Sequence, residues 1–230
     1  MTGRGLVSPE PVADPEALAV LERAQADLAG SLRGLLDACL RTRVEGEELT
    51  AVAQQARELT DRLLVAAREE PLGLETASDH RVRGHGNAMS GMRNPIAPPL
   101  DVTADDEGNV RAQLRLGAAY EGPPGCVHGG ILAAVLDQVV GTVPARVGRP
   151  GLTAYLNTTY RRPTLLDATH TVTAQLDRVE GWKTFASGQV RDEEGRLTAE
   201  AEALFVVPRW AREYIGDPAG DVAPADGSAS

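Results

Sequence analysis

The run Gly122-Pro123-Pro124-Gly125-Cys126-Val127-His128-Gly129-Gly130 leads straight into the apolar stretch Ile131-Leu132-Ala133-Ala134-Val135-Leu136-Asp137. This reads as a glycine-rich turn entering a buried helix that carries a carboxylate. The start of a helix leaves backbone N–H groups without partners and gathers partial positive charge, so His128-Gly129-Gly130 offers donors to an incoming oxygen. Glycine lets that oxygen come close. Between positions 131 and 140 the polar residues are Asp137 and Gln138. An unpaired carboxylate in apolar surroundings costs several kcal/mol or shifts its pKa, so Asp137 needs a reason to be there. One reading makes it chemical; the other makes it a structural aspartate bonded to backbone.

Gly129 and Asp137 are eight residues apart, which on one helix is about 12 Å of rise. A single carbonyl cannot touch both. If two copies of the helix run antiparallel across a twofold axis, the N-terminus of one faces the mid-helix carboxylate of the other. Geometry therefore favours a site shared between subunits.

Composition narrows the setting. With 230 residues and 42% hydrophobic content, the chain can bury a real core and hold one domain plus an appendage. A net charge of −10 argues against nucleic acid or an anionic membrane as the main partner, since both need a positive face. Cys39 and Cys126 lie in different segments and make neither a metal spacing nor a disulfide framework. His80, His85 and His170 have no mutual spacing that suggests a site, so no metal is expected. The first residues carry prolines and acids instead of a basic end with an apolar run, and no stretch has the apolar length of a membrane span. The cytoplasm is the expected compartment.

The organisation changes along the chain. Residues 1–15 read as a flexible N-terminus. Leu18, Leu21, Gln25, Leu28, Leu32, Leu35 and Cys39 alternate by three and four, as do Leu49, Val52, Ala56, Leu59, Leu63 and Ala66 after a break near Glu45-Gly46. These are two heptad seams, so 16–75 is expected to be a helical hairpin. Two helices with one stripe each cannot make a full core, and the stripes must find a copy of themselves or another domain. Residues 76–99 are rich in breakers, including Gly84, Gly86, Gly91 and Asn94-Pro95, and read as a loop, either a lid or a disordered stretch. Strands are expected at 100–103, 110–116, 152–161, 169–179, 184–191 and 197–207, with a helix at about 130–147 between the second and third. The fold class is α+β, an antiparallel sheet wrapped round a central helix over 100–210. Residues 211–230 read as a flexible tail, disordered from Gly216 by its Ala, Gly, Asp, Pro and Ser content.

From about Tyr120 to Val207 the chain resembles the PaaI-like acyl-CoA thioesterases of the hotdog superfamily, particularly their mitochondrial long-chain branch. The resemblance rests on His128-Gly129-Gly130 with Asp137 seven residues on, on Leu152-Thr153-Ala154-Tyr155-Leu156-Asn157 continuing to Tyr160-Arg161-Arg162-Pro163, and on Gln175-Leu176-Asp177-Arg178-Val179-Glu180-Gly181. It implies a hotdog fold, an acyl-CoA substrate, no cofactor beyond the coenzyme A of that substrate, and a homodimer or dimer of dimers. It implies that Gly129 gives its N–H to the thioester oxygen and that Asp137 acts as general base or nucleophile. Thr153 would orient water or the carboxylate, and His128 would shape the turn and donate a hydrogen bond. Phenylacetate-type members carry a side-chain amide six residues before the histidine, where this chain has Gly122.

Coenzyme A is anionic, so its phosphates need local cations. Arg161 and Arg162, at the end of an expected strand, are the candidates by position, and Gly130 joins them as a substrate-binding residue through its N–H. Thr153 also reads as an ordinary strand threonine, and exposed arginines as a solvated face. The rival function is a non-catalytic hotdog module that binds acyl-CoA or a partner protein. The joint presence of Asp137, Gly129 and Thr153 favours the enzyme. A hydratase of the same fold would want a histidine and an aspartate paired close in sequence on the hydration motif, and no such motif is evident in this chain.

Overall fold

The computed structural model describes residues 14–70, 72–76, 82–105 and 108–215. They fall into two units, one reaching to Pro99 and including Gly117–Ala119, the other made of Leu100–Leu116 and the chain from Tyr120 onward. Of the flexible N-terminus expected over residues 1–15, residues 1–13 lie outside the described residues, as does the tail from Gly216, while Asp14 and Pro15 belong to the start of the first helix.

In the first unit Asp14 sets the start of α1 (Pro15–Arg41), its carboxylate accepting the Glu16 N–H at 2.9 Å with Pro15 in the first turn. Helix α2 (Gly46–Leu64) follows, with Glu47 and Glu48 at its positive end and Arg62 at its negative end. Both helices lie where the seams place them, but apart from Leu18 much of each seam is uncovered. Leu21, Leu28 and Leu35 are 47%, 42% and 37% exposed, and α2 buries no residue. What α1 covers instead is a mixed face with Leu18 and Ala29 buried, where Glu22 pairs with Arg83 and the Arg33 Nε–H bonds the Ala97 carbonyl at 3.1 Å. The expected loop contains a two-stranded ribbon, β1 (Glu75–Thr76) with β2 (Val82–Arg83). Its later part is a set of turns held from within, Asn87 Oδ1 accepting from the N–H groups of Met89 and Ser90 at 2.7 and 3.0 Å. Of the remaining histidines, His85 sits 3.5 Å from Glu22 in this unit, while His80 lies outside the described residues.

The second unit contains β3 (Asp101–Ala104), β4 (Val110–Leu114), α3 (Gly129–Val140), α4 (Thr142–Arg146), β5 (Leu152–Tyr160), β6 (His170–Glu180), β7 (Lys183–Arg191), β8 (Leu197–Val206) and α5 (Arg209–Ile215). The six long strands form one antiparallel sheet in the order β3-β4-β6-β7-β8-β5. Strand alternation turns Val110, Ala112, Leu114, Val172, Ala174, Ala186, Val190, Ala199, Ala201, Ala203 and Phe205 inward, all buried. Against them lie Leu132, Val135, Leu136, Val139 and Val140 of α3, also buried. Alanine dominates the inner face of β8, and β7 has Gly188 there. A Cβ at Gly188 would stand 2.5 Å from Val140 Cγ2 and 3.5 Å from Leu136 Cδ2, so the helix is seated where the sheet has no side chain. His170, buried at the start of β6, bonds the Leu165 carbonyl through Nε2 at 2.9 Å; its role is in the core.

Two boundaries differ from expectation. The central helix does not run on to 147: it ends at Val140 and α4 begins after Gly141. A Cβ at Gly141 would lie 2.7 Å from the Asp137 carbonyl, the Thr142 hydroxyl bonds the Gln138 carbonyl at 3.0 Å, and Pro144 supplies no N–H to a continuous helix. The tail expected from 211 is helical as far as Ile215. Arg212 anchors it, with its Nε–H on the Val207 carbonyl at 3.1 Å and its guanidinium 5.1 Å from the Trp182 ring centre. Low hydrophobicity hid this short helix, because its anchors are a cation and a distant aromatic.

The seat of α3 makes a direct prediction. Gly188→Val overpacks the contact with Val140, which costs about 2–3 kcal/mol by the usual scale for such changes. Thermal denaturation is expected to show a melting temperature lower by roughly 4–12 °C; a wild-type value would mean that the helix is not held against β7 there.

Candidate functional site

The turn before α3 is stitched to its surroundings by main-chain bonds. Gly122 N–H reaches the Cys126 carbonyl at 2.9 Å, Val127 N–H the Thr164 carbonyl at 2.8 Å, and His128 N–H the Tyr120 carbonyl at 2.9 Å. Gly125 takes φ +73°, a conformation glycine adopts without strain. His128 then caps the helix. Its carbonyl accepts from Ile131 and Leu132 at 3.0 and 3.2 Å, and its Nδ1 accepts the Gly130 N–H at 3.0 Å. One expectation is corrected by this geometry: the Gly130 N–H is taken up by the His128 cap instead of standing ready for substrate. With Nδ1 accepting, the neutral ring carries its proton on Nε2, the nitrogen left for a donor role. Gly129 is different: among the described residues its N–H meets no acceptor.

Gly122 has a steric reason. A Cβ there would be 2.7 Å from His128 Cα and 3.0 Å from His128 Cβ. The backbone as folded leaves no room at that position for the amide side chain found in phenylacetate-type enzymes.

Asp137 lies two turns into α3, half-buried. The Thr153 hydroxyl donates to its Oδ1 at 3.0 Å. Thr153 is on β5, next to a break in the β5–β8 register between Thr153 and Tyr155, where a bulge of this kind re-aims side chains. The other oxygen of Asp137 has no partner among the described residues. The carboxylate and the threonine are thus brought together, while Gly129 stands at the other end of the same rigid segment.

A recess of about 410 Å³ opens beside the helix start, lined by Cys126, Gly129, Leu132, Tyr160, Arg161 and Arg162 among others. Its walls are mostly apolar. Both candidate arginines reach it, but both are already engaged. Arg161 pairs with Glu200 through Nε at 2.8 Å and Nη2 at 2.6 Å, and the Nη1–H of Arg162 bonds the Leu197 carbonyl at 2.9 Å. Asp137 and Thr153 do not line this recess.

Tyr160 is the residue that sequence reasoning passed over. Its hydroxyl donates to the Gly129 carbonyl at 2.7 Å, and a Cβ on Gly129 would stand 3.3 Å from its Cζ. No spacing rule links a strand-end tyrosine to a turn 31 residues earlier. Among the described residues there is no group of three or more His, Cys, Asp or Glu able to hold a metal ion, and no helix is long and apolar enough to cross a membrane.

Residues 124–199 match the family model of the thioesterase superfamily, a span that contains Gly129, Asp137, Thr153 and Tyr160. Among curated relatives, acyl-coenzyme A thioesterase THEM4 of Mus musculus is 40% identical over 91 residues, which are 39% of this chain and 39% of the relative. Its counterpart in Bos taurus is 35% identical over 103 residues, 44% of this chain and 42% of the relative. The match therefore spans about two fifths of these relatives' length. A crystal structure of a thioesterase superfamily protein is 32% identical, covers 87% of this chain and 98% of its own, and superposes with a TM-score of 0.70. That coverage takes in nearly the whole of the solved protein, and with the six-stranded antiparallel sheet packed on α3 it places this chain in the thioesterase superfamily, with the hotdog fold.

Proposed function

We propose that this chain hydrolyses acyl-CoA thioesters to a free acid and coenzyme A. The observation that carries the reading is the pair on the central helix: an N–H at Gly129 with no acceptor among the described residues, and Asp137 held by Thr153 at 3.0 Å. The name of the relatives, acyl-coenzyme A thioesterase, supports the substrate class.

Each group has a role in the chemistry. As the acyl carbonyl is attacked, negative charge gathers on its oxygen, and an N–H already fixed in place stabilises that charge by about 3–4 kcal/mol. Gly129 supplies it. Asp137 takes a proton from water as the water oxygen bonds to the carbonyl carbon, and Thr153 holds the carboxylate in the orientation that receives the proton. Collapse of the tetrahedral species breaks the carbon–sulfur bond, and the coenzyme A sulfur leaves with a proton. Attack by the carboxylate itself would give a mixed anhydride that water then opens. Arg161 and Arg162 border the recess where the anionic coenzyme would approach, Arg161 after exchanging its bond with Glu200. His128 serves the site by capping the helix.

Gly129 and Asp137 are too far apart on one helix to meet one carbonyl, since eight residues rise about 12 Å. We infer that a second copy completes each site. Strand β5 supports this: it is the bare edge of the sheet, with Leu152 63% and Tyr160 51% exposed, and an open edge of nine residues invites pairing with another chain. The cytoplasm is the compartment we propose, Cys39 and Cys126 both standing as free thiols.

Two experiments test these assignments. A panel of acyl-CoAs of rising chain length, followed by release of free thiol, is expected to show turnover by the wild type and a fall of about 10²–10⁴-fold in kcat for Asp137→Asn, with KM little changed. A folded Asp137→Asn protein with ordinary turnover would remove the carboxylate from the mechanism. For the shared site, inactive Asp137→Asn protein is mixed with an inactive variant carrying a bulky residue at Gly129. Mixed dimers then hold one intact site, so activity returns; no recovery despite demonstrated subunit exchange would place the whole site in one chain.

A further inference from the structure

We infer that Tyr160 is a positioning residue of the thioester site, clamping the Gly129–Gly130 peptide so that the neighbouring Gly129 N–H keeps a fixed direction. The inference rests on the proposed hydrolase reading and extends it to a residue outside the reacting groups.

Two glycines in succession are the loosest backbone a chain can offer, and an oxyanion donor has to be rigid before the reaction starts. The Gly129–Gly130 peptide is held at both ends. Its carbonyl oxygen accepts the Tyr160 hydroxyl at 2.7 Å, and its N–H donates to His128 Nδ1 at 3.0 Å. One restraint comes from the end of β5 and the other from the helix cap, so the peptide plane is fixed by two independent parts of the fold. The Tyr160 ring also covers Gly129 Cα, where a Cβ would lie 3.3 Å from Cζ and 3.4 Å from the hydroxyl oxygen. Position 129 is therefore kept free of a side chain by the same residue that fixes its carbonyl.

The bond is not the repair of a structural defect. Carbonyls in the first turn of a helix already have donors further along it; the orphan groups at that end are N–H groups. The Tyr160 hydroxyl thus adds a second donor to an oxygen that has no need of one. The ring is 51% exposed and borders the recess at the helix start, so it contributes little to the core. Among the described residues its hydroxyl bonds the backbone of the turn that carries the proposed oxyanion donor.

Tyr160→Phe removes the hydroxyl and keeps the ring; Tyr160→Leu removes both. In steady-state acyl-CoA hydrolysis, Tyr160→Phe is expected to lower kcat by about tenfold with KM unchanged within about twofold, at wild-type melting temperature, and Tyr160→Leu to lower kcat further. Amide hydrogen exchange on the same proteins, independent of turnover, is expected to show faster exchange at Gly130 in Tyr160→Phe. Wild-type kcat in Tyr160→Phe, a rise confined to KM, or unchanged exchange at Gly130 would each overturn the clamp. A wild type that releases no thiol from any acyl-CoA would defeat the hydrolase reading instead, and the exchange measurement would still decide whether Tyr160 holds the turn.

Discussion

The close seat of α3 on the sheet governs everything else in the second unit. A helix brought to a sheet at ordinary distance leaves room for side chains on both surfaces. Here Gly188 and the alanines at 186, 199, 201 and 203 leave the sheet surface low, and Val140 and Leu136 descend onto it. Close seating has a chemical consequence. Asp137 is carried near enough to β5 for the Thr153 hydroxyl to reach it, and Gly129 near enough to the end of the same strand for Tyr160 to reach its carbonyl. The two ends of one helix are thereby referenced to the two ends of one strand.

That arrangement explains how a single carboxylate is tolerated on an apolar helix. Five of its neighbours between positions 132 and 140 are buried, and a carboxylate among them would ordinarily be costly. Asp137 escapes by facing the sheet edge, where it stays half-buried and one of its oxygens is satisfied by a hydroxyl. The other oxygen has no partner among the described residues.

Much of this was legible in the residues. Alternation and the turn residues between them located the six long strands to within about two residues; β4, β7 and β8 show the alternating burial that such a pattern records, while β5, at the sheet edge, buries no residue. The helix carrying Asp137 was legible for the same reason. Its end was not, since Gly141 and Pro144 act on a segment whose hydrophobicity continues unbroken. The leucine seams of α1 and α2 announced helices correctly but not their packing: α1 covers the face with Glu22 and Arg33, which polarity alone would leave in water. In the site, Gly129, Asp137 and Thr153 follow from a local turn and a family pattern. The role of Gly130 changed because the His128 side chain two residues away takes its N–H, a matter of rotamer that spacing does not encode. Tyr160 depends on the β5–α3 contact and could be found only in three dimensions.

The placement of Thr153 and Tyr160 on an edge strand ties assembly to chemistry. An edge strand alone is subject to fraying, because its outer N–H and C=O groups have water as their partner. Both residues that orient the proposed reacting groups stand on that strand, one at each end. Pairing β5 with a second copy would therefore do more than bring the partner's helix opposite: it would stiffen the strand that aims Asp137 and the Gly129 turn within the same chain. An isolated subunit would lack the opposing half of the site and would also hold its own half more loosely, so the activity of a monomer should fall by more than the missing groups alone account for.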